Sequence, residues 1–373
     1  MTMKIIIERE KMISQAPADI RDWGPWQFPR VFAAGNKIYL EFHVSADSAL
    51  SYGKPRAWYC SDDLWETWYE SDPCGMEISN GDCIRPYQPK ALPEKDTVLP
   101  EVIGRFVGYG IPRNYFDYES MDPAYRHWYI ERKKPGMDET VEEVSVELPG
   151  YTMNTSEGVL PLPYFHQLKR GPGNSIWTFL YKHFVEDGKI SPYSASWFHR
   201  STDNGKTFEF MSKIPYTYDI EKDPGAEKRY GYGEPDMCFI DDKTAFSLHR
   251  TTDGTGIGPM YIAWTYDGGY SWTKPEFFDD CGVWPQTVAL GNGVVLAGYG
   301  RPGLFIRPYH DGKWHSRIAI VEPMDYQTDT CSYCALVPSG HDSALIFYSD
   351  FNYPDKDGVP RKSIMVRRIR VVV

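Results

Sequence analysis

Apolar residues recur along this chain in short runs set off by tight-turn residues. One such run, Met260-Tyr261-Ile262-Ala263-Trp264, leads into Thr265-Tyr266-Asp267-Gly268-Gly269-Tyr270-Ser271-Trp272 and then Lys274-Pro275. The order reads as a strand, a turn and a second strand. Asp267 can accept backbone N–H groups of its own turn, and Gly268-Gly269 supply the positive φ that a hairpin needs. Ser271 closes the turn with its hydroxyl while Trp272 returns to an apolar layer.

The turn repeats. Ser201-Thr202-Asp203-Asn204-Gly205-Lys206-Thr207-Phe208 has the same order of residue types, and Ser61-Asp62-Asp63-Leu64-Trp65-Glu66-Thr67-Trp68 keeps it except that Trp65 replaces the glycine. His310-Asp311-Gly312-Lys313-Trp314 is a shortened copy. A second signal keeps step with it. A proline opens an apolar segment at Phe28-Pro29-Arg30, Leu162-Pro163-Tyr164, Glu234-Pro235-Asp236 and Trp284-Pro285-Gln286. A hairpin turn and another apolar run follow each. The unit is strand, tight turn, strand, longer loop, strand, Asp-type turn, strand, which is the pattern of a propeller blade.

Six units fit, over residues 26–72, 79–150, 161–212, 230–276, 281–322 and 330–373. The expectation is one all-β domain over residues 1–373, a six-bladed β-propeller of four-stranded antiparallel blades. The second unit fits worst, with a Pro-rich loop at 85–100 and an acidic strand at 141–148. An N-terminal strand over 3–9 is expected to close the ring beside the C-terminal strand, leaving fewer exposed edges. The competing arrangement is a pair of β-sandwiches.

Composition supports an all-β chain: 15% aromatic residues, Gly 32 and Pro 29 among 373. A net charge of −11 without a basic block argues against a nucleic-acid partner. No run reaches the ~18 apolar residues of a membrane span, so no membrane partner is expected. The first twenty residues, with Lys4, Glu8, Arg9, Glu10 and Lys11, hold no secretory apolar region, which points to a cytoplasmic location. Seven cysteines do not suggest a disulfide framework, and Cys331 and Cys334 lack a second pair for zinc. No metal or cofactor is expected, and the oligomeric state is not legible.

Blade topology puts the Asp-type turns on one face and the starts of first strands and ends of second strands on the other. Strand starts bring Arg30, Glu234, Asp236, Gln286 and Tyr333 to that second face; strand ends bring His43, His183, Arg250 and Arg301; loops add Asp47 and Asp253. Two arginines ending equivalent strands beside a glutamate suit an anion site.

At this point the chain resembles the sialidase (neuraminidase) superfamily of six-bladed propellers. The Asp-box (BNR-repeat) turns at 201–208 and 265–272 carry half of the likeness. Gly233-Glu234-Pro235, Arg250, Tyr299-Gly300-Arg301-Pro302-Gly303-Leu304 and Ser332-Tyr333 carry the rest. The resemblance implies an exo-glycosidase acting on a terminal acidic sugar of a glycan. Arg250 and Arg301 would grip its carboxylate, Tyr333 would be the nucleophile activated by Glu234, and Asp47 the general acid/base. The pattern departs at the first arginine: the family has R-I-P, whereas here Gln27 holds that place and Arg30 follows Pro29, leaving room for another acidic sugar. His43 and His183 are a second departure. Substrate-binding candidates are thus Arg250, Arg301, Arg30, His43, His183, Asp236 and Gln286. Two alternatives stand beside this reading. The same pocket could serve a uronate-directed lyase or a rhamnosidase with His43 or His183 as base. A non-catalytic glycan-binding propeller could instead use Trp23, Trp26, Tyr115 and Tyr118 as stacking platforms.

Overall fold

The computed structural model describes residues 3–323 and 329–373. Its regular structure is β-strand, with one-turn 3₁₀ segments and no α-helix among the described residues. Among the described residues six antiparallel meanders follow one another. The first runs Gln27–Ala34, Lys37–His43, Ala57–Ser61, Tyr69–Glu70, and the second Met76–Glu77, Cys83–Pro86, Trp128–Lys133, Glu139–Val146. The third runs Leu168–Arg170, Ile176–Lys182, Ala195–Ser201, Thr207–Ile214, and the fourth Tyr232–Phe239, Ala245–Thr251, Met260–Thr265, Glu276–Asp279. The fifth has Gln286–Ala289, Val295–Gly300 and Leu304–His310, whose outer edge pairs with both Lys313–Trp314 and Ile318–Val321.

The sixth meander is completed from the other end of the chain. Cys334–Gly340, Ser343–Pro354 and Pro360–Val372 pair in order, and the last strand then pairs with Lys4–Ile7 and with Lys11–Gln15. Of the two N-terminal strands, Lys4–Ile7 falls in the stretch 3–9 where one was expected, and Lys11–Gln15 lies beyond it. The second and third meanders also join, through a short parallel pairing of Ser145 with Thr207 and Val146 with Phe208.

Most neighbouring meanders touch through their inner strands. Gln27–Ala34 packs on both Met76–Glu77 and Cys334–Gly340, and Tyr232–Phe239 packs on both Ile176–Lys182 and Gln286–Ala289. Gln286–Ala289 then packs on Cys334–Gly340, so the succession returns to its start. Inner strands have neighbours on both faces, and their sequences are accordingly almost continuous in apolar and small residues. Ala245–Thr251 and Val295–Gly300 are buried at every position. Strands farther out alternate, as in Trp128–Lys133.

Most junctions are apolar, like the cluster of Phe246, Leu248 and Met260 with Val295, Ala297 and Tyr299. The junction of the first and second meanders is ionic. Arg85 pairs with Glu131 and Glu139 within the second meander, and Glu41 with Arg56 and Arg30 within the first. Across the junction the Arg85 charge acts on Glu41, while Arg56 donates to Gln88 at 2.8 Å.

The Asp-centred turns have the bonding expected from their sequence. Asp267 Oδ1 accepts the N–H groups of Tyr270 and Ser271, both at 3.0 Å, and its Oδ2 accepts the Ser271 hydroxyl at 2.5 Å. Asp203 does the same with Lys206 and Thr207, and Asp63 with Thr67. Gly205 and Gly269 hold positive φ (80° and 93°), and Trp65 holds the matching place at 132°. Trp65 tolerates that backbone because its ring is buried between the first and sixth meanders.

Candidate active site

Three first strands deliver side chains to one point by the same backbone device. Phe28, Glu234 and Trp284 each precede a proline, and each holds a positive φ, at 57°, 47° and 41°. In two of them the pairing shows a bulge. Phe28 and Pro29 stand opposite Phe42 alone, and Glu234 and Pro235 opposite His249 alone. Proline has no N–H to lose, so a bulge accommodates it within a strand. Left-handed backbone in a non-glycine residue costs of order 1–3 kcal/mol and concentrates at functional sites.

All three side chains meet on Tyr333. Phe28 packs edge-on to its ring at 4.7 Å between centroids, and Trp284 stacks on it at 5.4 Å with 19° between planes. Glu234 Oε1 accepts a short hydrogen bond from the Tyr333 hydroxyl. The same oxygen accepts Arg250 Nη1 at 2.7 Å, while Oε2 accepts the Trp284 N–H at 2.9 Å. Arg250 Nη1 is also 3.3 Å from the Tyr333 oxygen. Burial pushes the Tyr333 phenol well above its usual range and the Glu234 charge adds to this, with Arg250 and Arg301 opposing. The phenol is therefore neutral, with its proton aimed at a carboxylate. Burial disfavours the Arg250 charge, but Glu234 outweighs it and holds the guanidinium charged.

Arg301 donates from Nη2 to the Cys331 carbonyl at 2.7 Å and lies over the rings of Trp23 and Tyr333, at 5.4 and 5.6 Å. Asp47 follows the Lys37–His43 strand on a loop and accepts Trp23 Nε1 at 3.2 Å. Crowding by the cleft wall pushes its carboxyl up; the Trp23 bond opposes this, and the nearby Glu234 charge adds to it. Tyr333, Glu234, Arg250, Arg301 and Asp47 line one cleft of about 1060 Å³.

Arg30, His43 and His183 line this cleft too, in different circumstances. Arg30 is paired with Glu41, and burial, then Arg56, lowers it to about 10. His43 packs against Phe28 at 5.1 Å, and burial holds it far below its usual range. His183 lies flat on Phe106 at 4.4 Å, its Nδ1 2.9 Å from the Ser191 carbonyl, and burial lowers it to about 4.

Two expected binding residues are not in the cleft. Asp236 is fully buried between meanders, where it accepts Lys169 Nζ at 2.8 and 2.9 Å and the Thr287 hydroxyl at 2.6 Å. Gln286 joins the same network through Gln167, at 3.1 Å. Each stands two residues beyond a left-handed residue, so the side-chain alternation of a regular strand no longer returns it to the face of Glu234 and Trp284. Asp253 pairs with Arg229 at 3.3 Å. Of the four proposed stacking rings, Trp23 and Tyr115 line the cleft. Trp26 instead packs on Phe42 and donates to Ser14, and Tyr118 is buried against Trp128. Sequence reasoning missed Phe28, Trp284, Tyr181 and Lys182. For the first two the signal was present, as the residue before each strand-opening proline.

No protein-family model matches the chain, and neither does any curated protein sequence. Solved structures do. A Dyadobacter fermentans protein of unknown function superposes with a TM-score of 0.69 at 16% identity, over 99% of both chains. The NanB sialidase of Streptococcus pneumoniae superposes at 0.51 and 12% identity, covering 96% of this chain and 70% of the sialidase. The α-L-arabinanase of Penicillium chrysogenum does so at 0.51 and 16%, covering 97% and 98%. At these identities the likeness establishes a shared all-β fold of antiparallel sheets, the scaffold of propeller glycosidases.

Proposed function

We propose that the chain is a single-domain six-bladed β-propeller, each meander a blade and each Asp-centred turn an Asp box, and that it is an exo-glycosidase of sialidase type. One observation carries this reading: the hydrogen-bonded group of Tyr333, Glu234 and Arg250 at the floor of a cleft that also holds Asp47. In the reaction the Tyr333 oxygen attacks the anomeric carbon as its proton passes to Glu234. The glycosidic C–O bond breaks, and Asp47 gives its proton to the departing oxygen. Water, deprotonated by Asp47, then displaces the tyrosine, which recovers its proton from Glu234, so the configuration is retained. A neutral phenol suits attack beside a substrate carboxylate, which would repel an anionic nucleophile. Arg250 and Arg301 supply the charge for that carboxylate.

The histidine-based alternative asks for a base poised near neutrality. His183 is held at about 4 and its Nδ1 faces a carbonyl, which favours the tyrosine reading. The test is a set of aryl glycosides of acidic sugars, assayed with wild type, Tyr333→Phe and Glu234→Gln. Turnover is expected to fall by about three orders of magnitude or more in Tyr333→Phe with folding unchanged. A fluorinated form of the accepted sugar is expected to leave a glycosyl adduct on Tyr333, read by mass spectrometry. Full activity in Tyr333→Phe would overturn the reading, as would an unsaturated uronate product. Glycan binding without turnover would leave a binding module.

A further inference from the structure

Beyond Tyr333 the cleft continues under a hairpin inserted into the second meander, between Cys83–Pro86 and Trp128–Lys133. Gly104–Gly108 and Ile111–Asp117 form it, with Thr152–Asn154 as a third strand. Phe106 stacked on His183, and Tyr115 edge-on to the same ring at 4.8 Å, fasten it to the third meander. At its tip the Tyr109 ring lies 5.9 Å from the Arg250 guanidinium. The hairpin thus reaches from the Arg250 end of the site to the end of the strand Ile176–Lys182.

The wall built this way presents two cations without an acidic partner. Lys182 Nζ donates to Asn154 Oδ1 at 2.5 Å, leaving two of its three donors for other acceptors. Arg113 reaches the Tyr115 hydroxyl, and its buried Nε has no acceptor among the described residues. Neither residue forms an ion pair among the described residues, although most other cations of the cleft do, such as Arg30, Arg229 and Arg250. Burial, then the like charge of Arg113, lowers the Lys182 amine to about 7. Two like charges placed together in a partly dehydrated wall are unfavourable until an anion joins them. The wider field points the same way: nine Lys and Arg side chains line the cleft against three carboxylates, in a chain of net charge −11. The Lys182 charge acts on His166, whose ring stacks on Tyr181 at 4.7 Å, and Tyr181 in turn feels Glu234 and Arg250. The two cations thus lie along the same cleft wall as the central site.

We infer that Lys182 and Arg113, with Asn154, form a second anion subsite that takes a carboxylate or sulfate on the sugar next to the one held at Tyr333. The substrate class is then a glycan acidic on two neighbouring residues. The placement at a neighbouring sugar rests on the proposed glycosidase reading; the anion site itself does not.

Inorganic sulfate, titrated calorimetrically into the full chain, is the probe. Wild type is expected to bind two sulfates, one lost in Arg301→Met and the other weakened at least about tenfold in Lys182→Met/Arg113→Met, the scale of a lost charged hydrogen bond. Lys182→Arg keeps the charge and is expected to keep the sulfate, and thermal melts check that the variants fold. If Arg301→Met leaves sulfate binding intact while Lys182→Met/Arg113→Met removes it, the central reading fails and the second subsite stands. Absence of sulfate binding in wild type, or binding that Lys182→Met/Arg113→Met leaves unchanged, overturns the subsite.

Discussion

Asp47 can serve as an acid only while it carries a proton, so its surroundings set the pH range of the proposed reaction. The cleft wall crowds the carboxyl, and Glu234 and Glu157 add like charge; Trp23 Nε1 and Arg301 act in the opposite direction. The net effect is upward, so the proton is kept to a higher pH than an ordinary carboxyl would keep it. The alkaline limb of kcat/KM is therefore expected to report Asp47. Asp47→Asn is expected to abolish that limb and lower kcat by about 10²–10⁴ on substrates whose leaving group needs a proton. Aryl glycosides with a good leaving group should lose far less in the bond-breaking step. An unchanged alkaline limb in Asp47→Asn would assign the acid role to another group.

At the scale of elements, the Asp-centred turn and the proline-opened strand behave differently, and the difference explains what the sequence made legible. Every bond made by Asp267 lies within eight consecutive residues, Thr265 to Trp272. A local pattern of residue types therefore suffices to recognise it. Asp267→Ala removes acceptors for two backbone N–H groups and two hydroxyls in an exposed turn. The expected loss is about 1–3 kcal/mol of stability, read as a lower midpoint in urea, with turnover per folded molecule unchanged because the turn is remote from the cleft. A loss of turnover with unchanged stability would contradict that assignment. The prolines were equally readable as strand openers. Their consequence was not, because the bulges at Phe28–Pro29 and Glu234–Pro235 exist only relative to the partner strands, across from Phe42 and His249. That non-local register decides that Glu234 faces the cleft while Asp236 faces Lys169. The hairpin over 104–117 was hidden for a similar reason. Its role follows from Phe106 meeting His183, far away in sequence.

At the scale of the whole molecule, the joints between meanders carry a pH dependence of their own. His249 in the fourth meander has Nδ1 2.9 Å from Ser196 Oγ in the third, and His199 in the third has Nε2 2.8 Å from the Glu147 carbonyl after the second. His183 joins the third meander to the inserted hairpin. Burial lowers these three histidines to about 3, about 4 and about 4, against an ordinary value of 6.5. Since the folded values are depressed, the unfolded chain binds more protons than the folded one between pH 6.5 and about 4. Stability is thus full above pH 6.5 and is lost as pH falls through this window. Each histidine contributes a slope of up to about 1.4 kcal/mol per pH unit, so the three together reach about 4 kcal/mol per unit. Urea denaturation at pH 7.5 and at pH 5.5 is expected to show that drop, enlarged by His43 and His166, which burial also depresses. His249→Asn is expected to remove about 1.4 kcal/mol of it, because asparagine keeps a polar contact without a titrating group. A stability that is level between those two pH values would mean that the histidines are protonated alike in the folded and unfolded chain, and that these joints do not bear the cost of keeping them neutral.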